Sequence, residues 1–143
     1  MLKGIPDILS PDLLHALRAM GHGDRIVIAD ANFPATSVAR RLIRLDGLAA
    51  THVLDAVLTL LPVDTFCDDP VVSMQVVGEP ERVPEIVREF QAIVDARAGK
   101  STPIVPAERF AFYDLARSAF AVVVTGETRF YGNLIVTKGV IGP

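Results

Sequence analysis

The sequence predicts an α/β fold, and two features of its patterning predict it. Short apolar runs rich in β-branched residues, at 26–28, 71–77 and 120–125, lack a helical period and suit strands buried on both faces. Between them lie longer stretches, at 11–20, 51–61, 84–97 and 108–118, whose apolar residues recur every three or four positions. A chain of 143 residues is one domain by size, spanning 1–143. It is long enough to bury roughly 68–70% of its unfolded surface.

The elements follow in order. Ser10-Pro11-Asp12 starts a helix: Ser10 caps it, Pro11 suits the first helical position, and Asp12 complements the positive end of the dipole. Leu13, Leu14, Leu17 and Met20 form its apolar stripe, and Gly21 is placed to stop it in the left-handed conformation. His22 falls just beyond, between two glycines, where the negative end of the dipole suits a cation. It reads either as a cap or solvated loop residue, or as an exposed acid–base group.

Arg25 to Ala29 is a buried strand. Asp30-Ala-Asn-Phe-Pro-Ala-Thr-Ser37 reads as a polar loop in which Asp30 and Asn32 are turn-formers, or Asp30 accepts from a ligand's hydroxyls. Residues 41–45 predict a second strand ending at Asp46-Gly47. Thr51 is placed to cap a helix that buries Val53, Leu54, Val57, Leu58 and Leu61 and stops at Pro62.

A strand at 71–77 precedes a helix over 84–97, and residues 99–106, with two prolines, read as loop. In the next helix, 108–118, Arg109 sits near the start, where the dipole disfavours a cation, so a carboxylate or ligand oxygen is expected beside it. The strand 120–125, a turn over 126–132 and a last strand at 133–137 complete the chain. Tyr131-Gly132-Asn133 is either ordinary turn chemistry or a sugar contact, the ring covering C–H faces and the amide meeting hydroxyls.

Composition excludes several functions. A net charge of −3 and scattered basic residues argue against nucleic acid. One cysteine, Cys67, excludes an intrachain disulfide and a cysteine-based zinc cluster. His15 and His52 have no second metal-type residue at ligand spacing. The N-terminus is too short and broken for a signal peptide, and the apolar stretch 47–63 is interrupted by His52, Asp55 and Pro62. A cytoplasmic protein away from membranes is expected. No dinucleotide fingerprint, P-loop, nucleophile elbow or zincin motif occurs, and Lys3, Lys100 and Lys138 lie near termini or in loops. What remains is a kit for neutral proton transfer on a hydroxylated substrate, with no metal or organic cofactor. Half the residues are apolar even before glycine is counted. That surplus over a typical soluble domain points to a subunit interface.

Taken in register, Gly21-His-Gly-Asp24, Asp30-Ala-Asn-Phe-Pro34, Arg109-Phe-Ala-Phe-Tyr113, Val124-Thr-Gly-Glu127 and Tyr131-Gly-Asn133 resemble the RbsD/FucU family of sugar mutarotases along essentially the whole chain. The arginine at 109, followed by Phe-Ala-Phe-Tyr, places the likeness on the fucose branch. The resemblance implies a three-layer α/β/α domain with a mixed central sheet and no cofactor. It also implies ring-shaped homo-oligomers, a pentamer or decamer, with active sites at subunit interfaces. By motif match His22 is the catalytic general acid, and Asp30, Arg109, Tyr131, Gly132 and Asn133 bind the sugar. Asn32 and Tyr113 are candidate supporting groups.

On this reading the chain interconverts α and β anomers of L-fucose, with His22 and Asp30 held by their strand across one sugar ring. The alternatives are a ribose pyranase, exchanging pyranose and furanose rings, and a sugar-binding protein without catalysis.

Overall fold

Ser10 begins the first helix as its sequence requires, its Oγ accepting the Leu13 N–H at 3.2 Å. A computed structural model describes all of residues 1–143. In chain order it contains α1 (Pro11–Ala19), β1 (Arg25–Ala29), α2 (Ala35–Val38), β2 (Leu42–Leu45), α3 (Ala50–Leu58), β3 (Val71–Met74), α4 (Glu85–Ala98), β4 (Val105–Ala107), α5 (Arg109–Ser118), β5 (Ala121–Thr125) and β6 (Leu134–Thr137).

The six strands form one sheet in the order β2-β5-β1-β6-β3-β4. It is mixed: β6 runs antiparallel to both of its neighbours, β1 and β3, and the remaining pairs are parallel. Alternation along β1 then builds the layers. Ile26 and Ile28 join the core with residues of α1, α3 and α4, including Leu13, Leu54 and Phe90. Val27 and Ala29 face a second core with Val38, Phe112 and Ala116 of α2 and α5. The architecture is the expected α/β/α sandwich, with the continuous apolar strands at its centre.

Several boundaries differ from expectation for physical reasons. Helix α1 ends without a left-handed glycine: Met20 is its C-cap at φ −58°, and Gly23 (φ +84°) takes the left-handed turn instead. Ala49 rather than Thr51 precedes α3. The supposed loop 30–37 contains the single turn α2, started after Pro34. The supposed loop 99–106 contains most of β4, whose Pro106 is tolerated because β4 is an edge strand. Strand β3 stops at Met74, short of the apolar run that suggested it.

Candidate functional site

Strands β1 and β6 lie antiparallel at the centre of the sheet, Ile28 opposite Leu134 and Arg25 opposite Thr137. Each end of this pair therefore gathers residues distant in sequence. At one end the chain leaves β1 through Asp30 and enters β6 through Asn133. These two bind each other reciprocally: Asn133 Nδ2 donates to Asp30 Oδ2 at 2.8 Å, and Asn133 Oδ1 accepts the Asp30 N–H at 2.9 Å. Asp30 Oδ1 also accepts the Asn32 N–H at 2.9 Å. Burial raises the Asp30 carboxyl above the ordinary aspartate value, against the opposing pull of these hydrogen bonds.

A cleft of ≈ 370 Å³ opens over this pair. Asp30, Asn32, Arg109 and Asn133 are its polar side, and Phe33, Met74, Val77, Tyr113, Phe130 and Tyr131 supply rings and apolar wall. Tyr113 is packed against Phe33, their ring centroids 5.6 Å apart. The volume and the mixed lining suit a monosaccharide-sized polar molecule with apolar faces.

Arg109, the first residue of α5, forms no ion pair, and its buried Nε has no hydrogen-bond partner in the protein. Its guanidinium carbon lies 4.7 Å from the Phe110 ring centroid, and Glu108 spends its carboxylate capping the helix through the Phe110 and Ala111 N–H groups. Of the two companions expected for Arg109, no carboxylate lies within ion-pair distance, and its side chain lines the cleft.

The segment 131–133 owes its shape to packing. Tyr131 is the one non-glycine residue in the left-handed region (φ +63°), and its hydroxyl accepts the Val77 N–H at 3.1 Å. A Cβ on Gly132 would stand 2.8 Å from Glu127 Cγ and 3.0 Å from Ile86 Cδ1, so the backbone is bare because the protein needs the room. Glu127 is buried beneath and bound by Arg129, whose Nε and Nη2 donate at 2.9 and 3.0 Å, while Arg129 Nη1 reaches Glu89 at 2.7 Å. Asn133 likewise spends its carboxamide oxygen and one N–H on Asp30, which leaves one N–H for a ligand.

His22 lies elsewhere. It stands at the opposite end of β1, whose five residues at roughly 3.3 Å each separate it from the cleft by about 16 Å. Within one protomer His22 and Asp30 do not face one sugar ring. Instead, His22 Nε2 lies 2.8 Å from Oδ1 of buried Asp64, and its ring meets the edge of exposed Phe66 at 5.3 Å between centroids.

Asp64 Oδ2 accepts the Phe66 and Cys67 N–H groups at 3.2 and 3.0 Å. Burial works to raise the Asp64 carboxyl, but hydrogen bonds from Cys67, His22 and Phe66 outweigh it and hold the pKa at about 2. Ionised at neutral pH, Asp64 can only accept. The His22 nitrogen facing it therefore carries the proton, leaving Nδ1 open. Sequence reading missed Asp64. Its local signal was an acid opening a turn; its pairing across 42 positions had none.

A family model described as the RbsD / FucU transport protein family matches residues 3–141. Human fucose mutarotase is 49% identical, the match covering 98% of this chain and 94% of that protein. The crystal structure of the fucose mutarotase from Streptococcus pneumoniae, in complex with L-fucose, superimposes with a TM-score of 0.92 at 41% identity, covering 99% of this chain and 100% of that one. Bacillus subtilis RbsD, complexed with D-ribose, shares the fold at a TM-score of 0.75 and 24% identity, over 99% of this chain and 100% of that one.

Proposed function

The chain belongs to the RbsD/FucU family, and from that premise we propose that it is a mutarotase, an isomerase interconverting the α and β anomers of L-fucose by cofactor-free acid–base catalysis. One observation carries the reading of the site. A protomer presents a sugar-sized cleft at one end of β1 and a half-exposed histidine backed by an ionised acid at the other.

The two halves combine when copies associate head to tail, His22 of one protomer closing the cleft of the next. Exposed apolar residues at both ends support that association: Phe66 against His22, and Val77, Phe110 and Phe130 around the cleft. A heterologous contact of this kind gives a ring where its rotation closes and a filament where it does not. A pentamer, or two stacked as a decamer, is the assembly we assign.

Anomer exchange requires a proton placed on the ring oxygen and another removed from the anomeric hydroxyl. The ring opens to the aldehyde, C1 rotates, and the C5 hydroxyl attacks its other face. His22, held by Asp64 through Nε2, gives and retakes the proton at Nδ1; such catalysis is typically worth about 10²–10⁴-fold. Asp30 accepts from sugar hydroxyls, Arg109 donates to them, and the Tyr131 ring packs on a C–H face. Asn133 acts chiefly by fixing Asp30. L-Fucose is preferred over D-ribose because the fucose-bound relative shares 41% of its sequence and the ribose-bound one 24%.

Saturation-transfer NMR on anomeric protons tests this. The protein is expected to accelerate exchange of L-fucose more than that of D-ribose, and His22→Ala to abolish the acceleration. Sugar binding without accelerated exchange would leave a binding protein only. A monomer in solution scattering with full activity would remove the two-protomer site.

A further inference from the structure

His22 owes its position to residues at the far end of β6, and this rests on the acid–base role given to His22 above. Helix α1 ends with the Leu17 and Met20 carbonyls turned out of the helix. Lys138 Nζ donates to both, at 2.9 and 2.6 Å. The backbone of the same lysine holds the turn that carries His22: its carbonyl accepts the Gly23 N–H at 2.9 Å, and its N–H donates to the Asp24 carbonyl at 2.8 Å. Asp24 closes that turn by accepting the Gly21 N–H at 2.7 Å.

The Asp64 segment is fastened to Lys138 and the residues on either side of it. The Asp64 N–H donates to the Thr137 carbonyl at 3.0 Å, the Gly139 N–H donates to Pro62 at 2.8 Å, and Val63 bridges Lys138. Gly139 permits this approach: a Cβ there would lie 2.7 Å from the Val63 carbonyl oxygen and 2.9 Å from Asp64 Cα. Thr137–Gly139 is thus the common mount of both members of the His22–Asp64 pair. A cation at the C-terminus of α1 is electrostatically well placed, and its two bonds satisfy carbonyls that the helix leaves open.

We infer that Lys138 is a positioning residue for His22: its ammonium ties β6 to the α1 C-terminus and its backbone carries the turn, so that the imidazole is set against Asp64. Its ammonium is spent on the Leu17 and Met20 carbonyls, and its backbone N–H and carbonyl on the turn, so it acts on the reaction through His22. Removing the ammonium lets the turn drift, and misplacement by about 1 Å costs on the order of 10²-fold in a proton-transfer step.

Lys138→Met in the full-length protein is expected to lower kcat for L-fucose anomer exchange roughly 10- to 100-fold, with KM within about twofold of wild type. Lys138→Arg, which keeps a cationic donor, should recover most of kcat. Ring ¹⁵N shifts of His22, which report tautomer and the bond to Asp64, should change in Lys138→Met and return in Lys138→Arg. That readout needs no activity, so it separates this inference from the assignment of the reaction. If Lys138→Met does not fold, Lys138→Gln, which keeps an amide donor without the charge, takes its place. Wild-type kcat together with an unchanged His22 spectrum in the neutral variant would overturn the inference, as would equal loss in the arginine variant.

Discussion

Asp30 and Asn133 close a ring of two hydrogen bonds across the ends of β1 and β6, the amide donating to the carboxylate at 2.8 Å and accepting the aspartate's own N–H at 2.9 Å. Both residues are buried, at 4% exposure each. A carboxyl held this way is fixed in orientation without a neutralising cation, and its burial raises its pKa against the pull of these bonds.

Asn133→Ala should therefore cost stability and binding together. It strands a buried N–H and removes a donor from a buried carboxylate, worth about 2–3 kcal/mol. Asn133→Asp gives a sharper signature. Two carboxylates at hydrogen-bond distance must share a proton, so the folded-state pKa of the pair is raised and its contribution is lost as pH rises. Urea midpoints for Asn133→Asp should fall relative to wild type as pH rises above the ordinary carboxylate range; a constant difference would contradict the shared-proton geometry.

Asp64 predicts the opposite pH dependence. Its carboxyl is lowered from 3.8 to about 2 on folding. The stability it supplies is thus complete above the unfolded value and disappears as pH falls from about 4 through 2. The shift corresponds to on the order of 2 kcal/mol, led by the bonds from Cys67, with the His22 share reduced by solvent because its side chain is 46% exposed. Asp64→Asn should be less stable than wild type at pH 7 and converge with it near pH 2. Parallel denaturation curves across that range would show that the carboxylate is not held as described.

What the sequence made legible divides along the same lines. Continuous β-branched runs and the Ser10-Pro11-Asp12 start were local signals, and α1, β1, β5 and β6 follow them closely. Strand β4 was missed because Pro106 reads as a breaker, and only the sheet order shows it at an edge. For the site, Asp30, Arg109 and Asn133 were identifiable as polar groups at element ends. Their partners were not, since the bonds of Asp30 to Asn133 and His22 to Asp64 link positions 103 and 42 residues apart. Placing His22 and Asp30 around one sugar ring overlooked the length of the strand between them, which sets them at opposite ends of the protomer.

Gly132→Ala tests whether the loop shape is set from beneath. The new methyl would press on Glu127 Cγ at 2.8 Å, and Glu127 is held in place by Arg129. Overpacking of this kind costs about 1–3 kcal/mol. A lower melting temperature with a raised KM for L-fucose is expected, because Tyr131 and Asn133 move with the backbone. Wild-type KM with normal stability would mean that the loop yields freely.

Arg109 separates function from stability most cleanly. The protein gives its buried Nε no partner, and its charge sits at the positive end of α5. Both features are costs to the folded protomer, the dipole part alone being about 0.3–1 kcal/mol. Arg109→Met keeps an apolar stem of similar reach and removes both, so its urea midpoint should equal or exceed that of wild type. With Arg109 in the sugar-binding role proposed for it, the same change removes a charged hydrogen bond of about 1.5–3 kcal/mol, so the expected loss in kcat/KM is roughly 10- to 100-fold. Arg109→Lys should restore little, since a point charge does not reproduce the planar fork. A variant that loses stability and keeps activity would reverse the assignment: Arg109 would then be holding the fold, and the hydroxyls of the sugar would be bound by other groups.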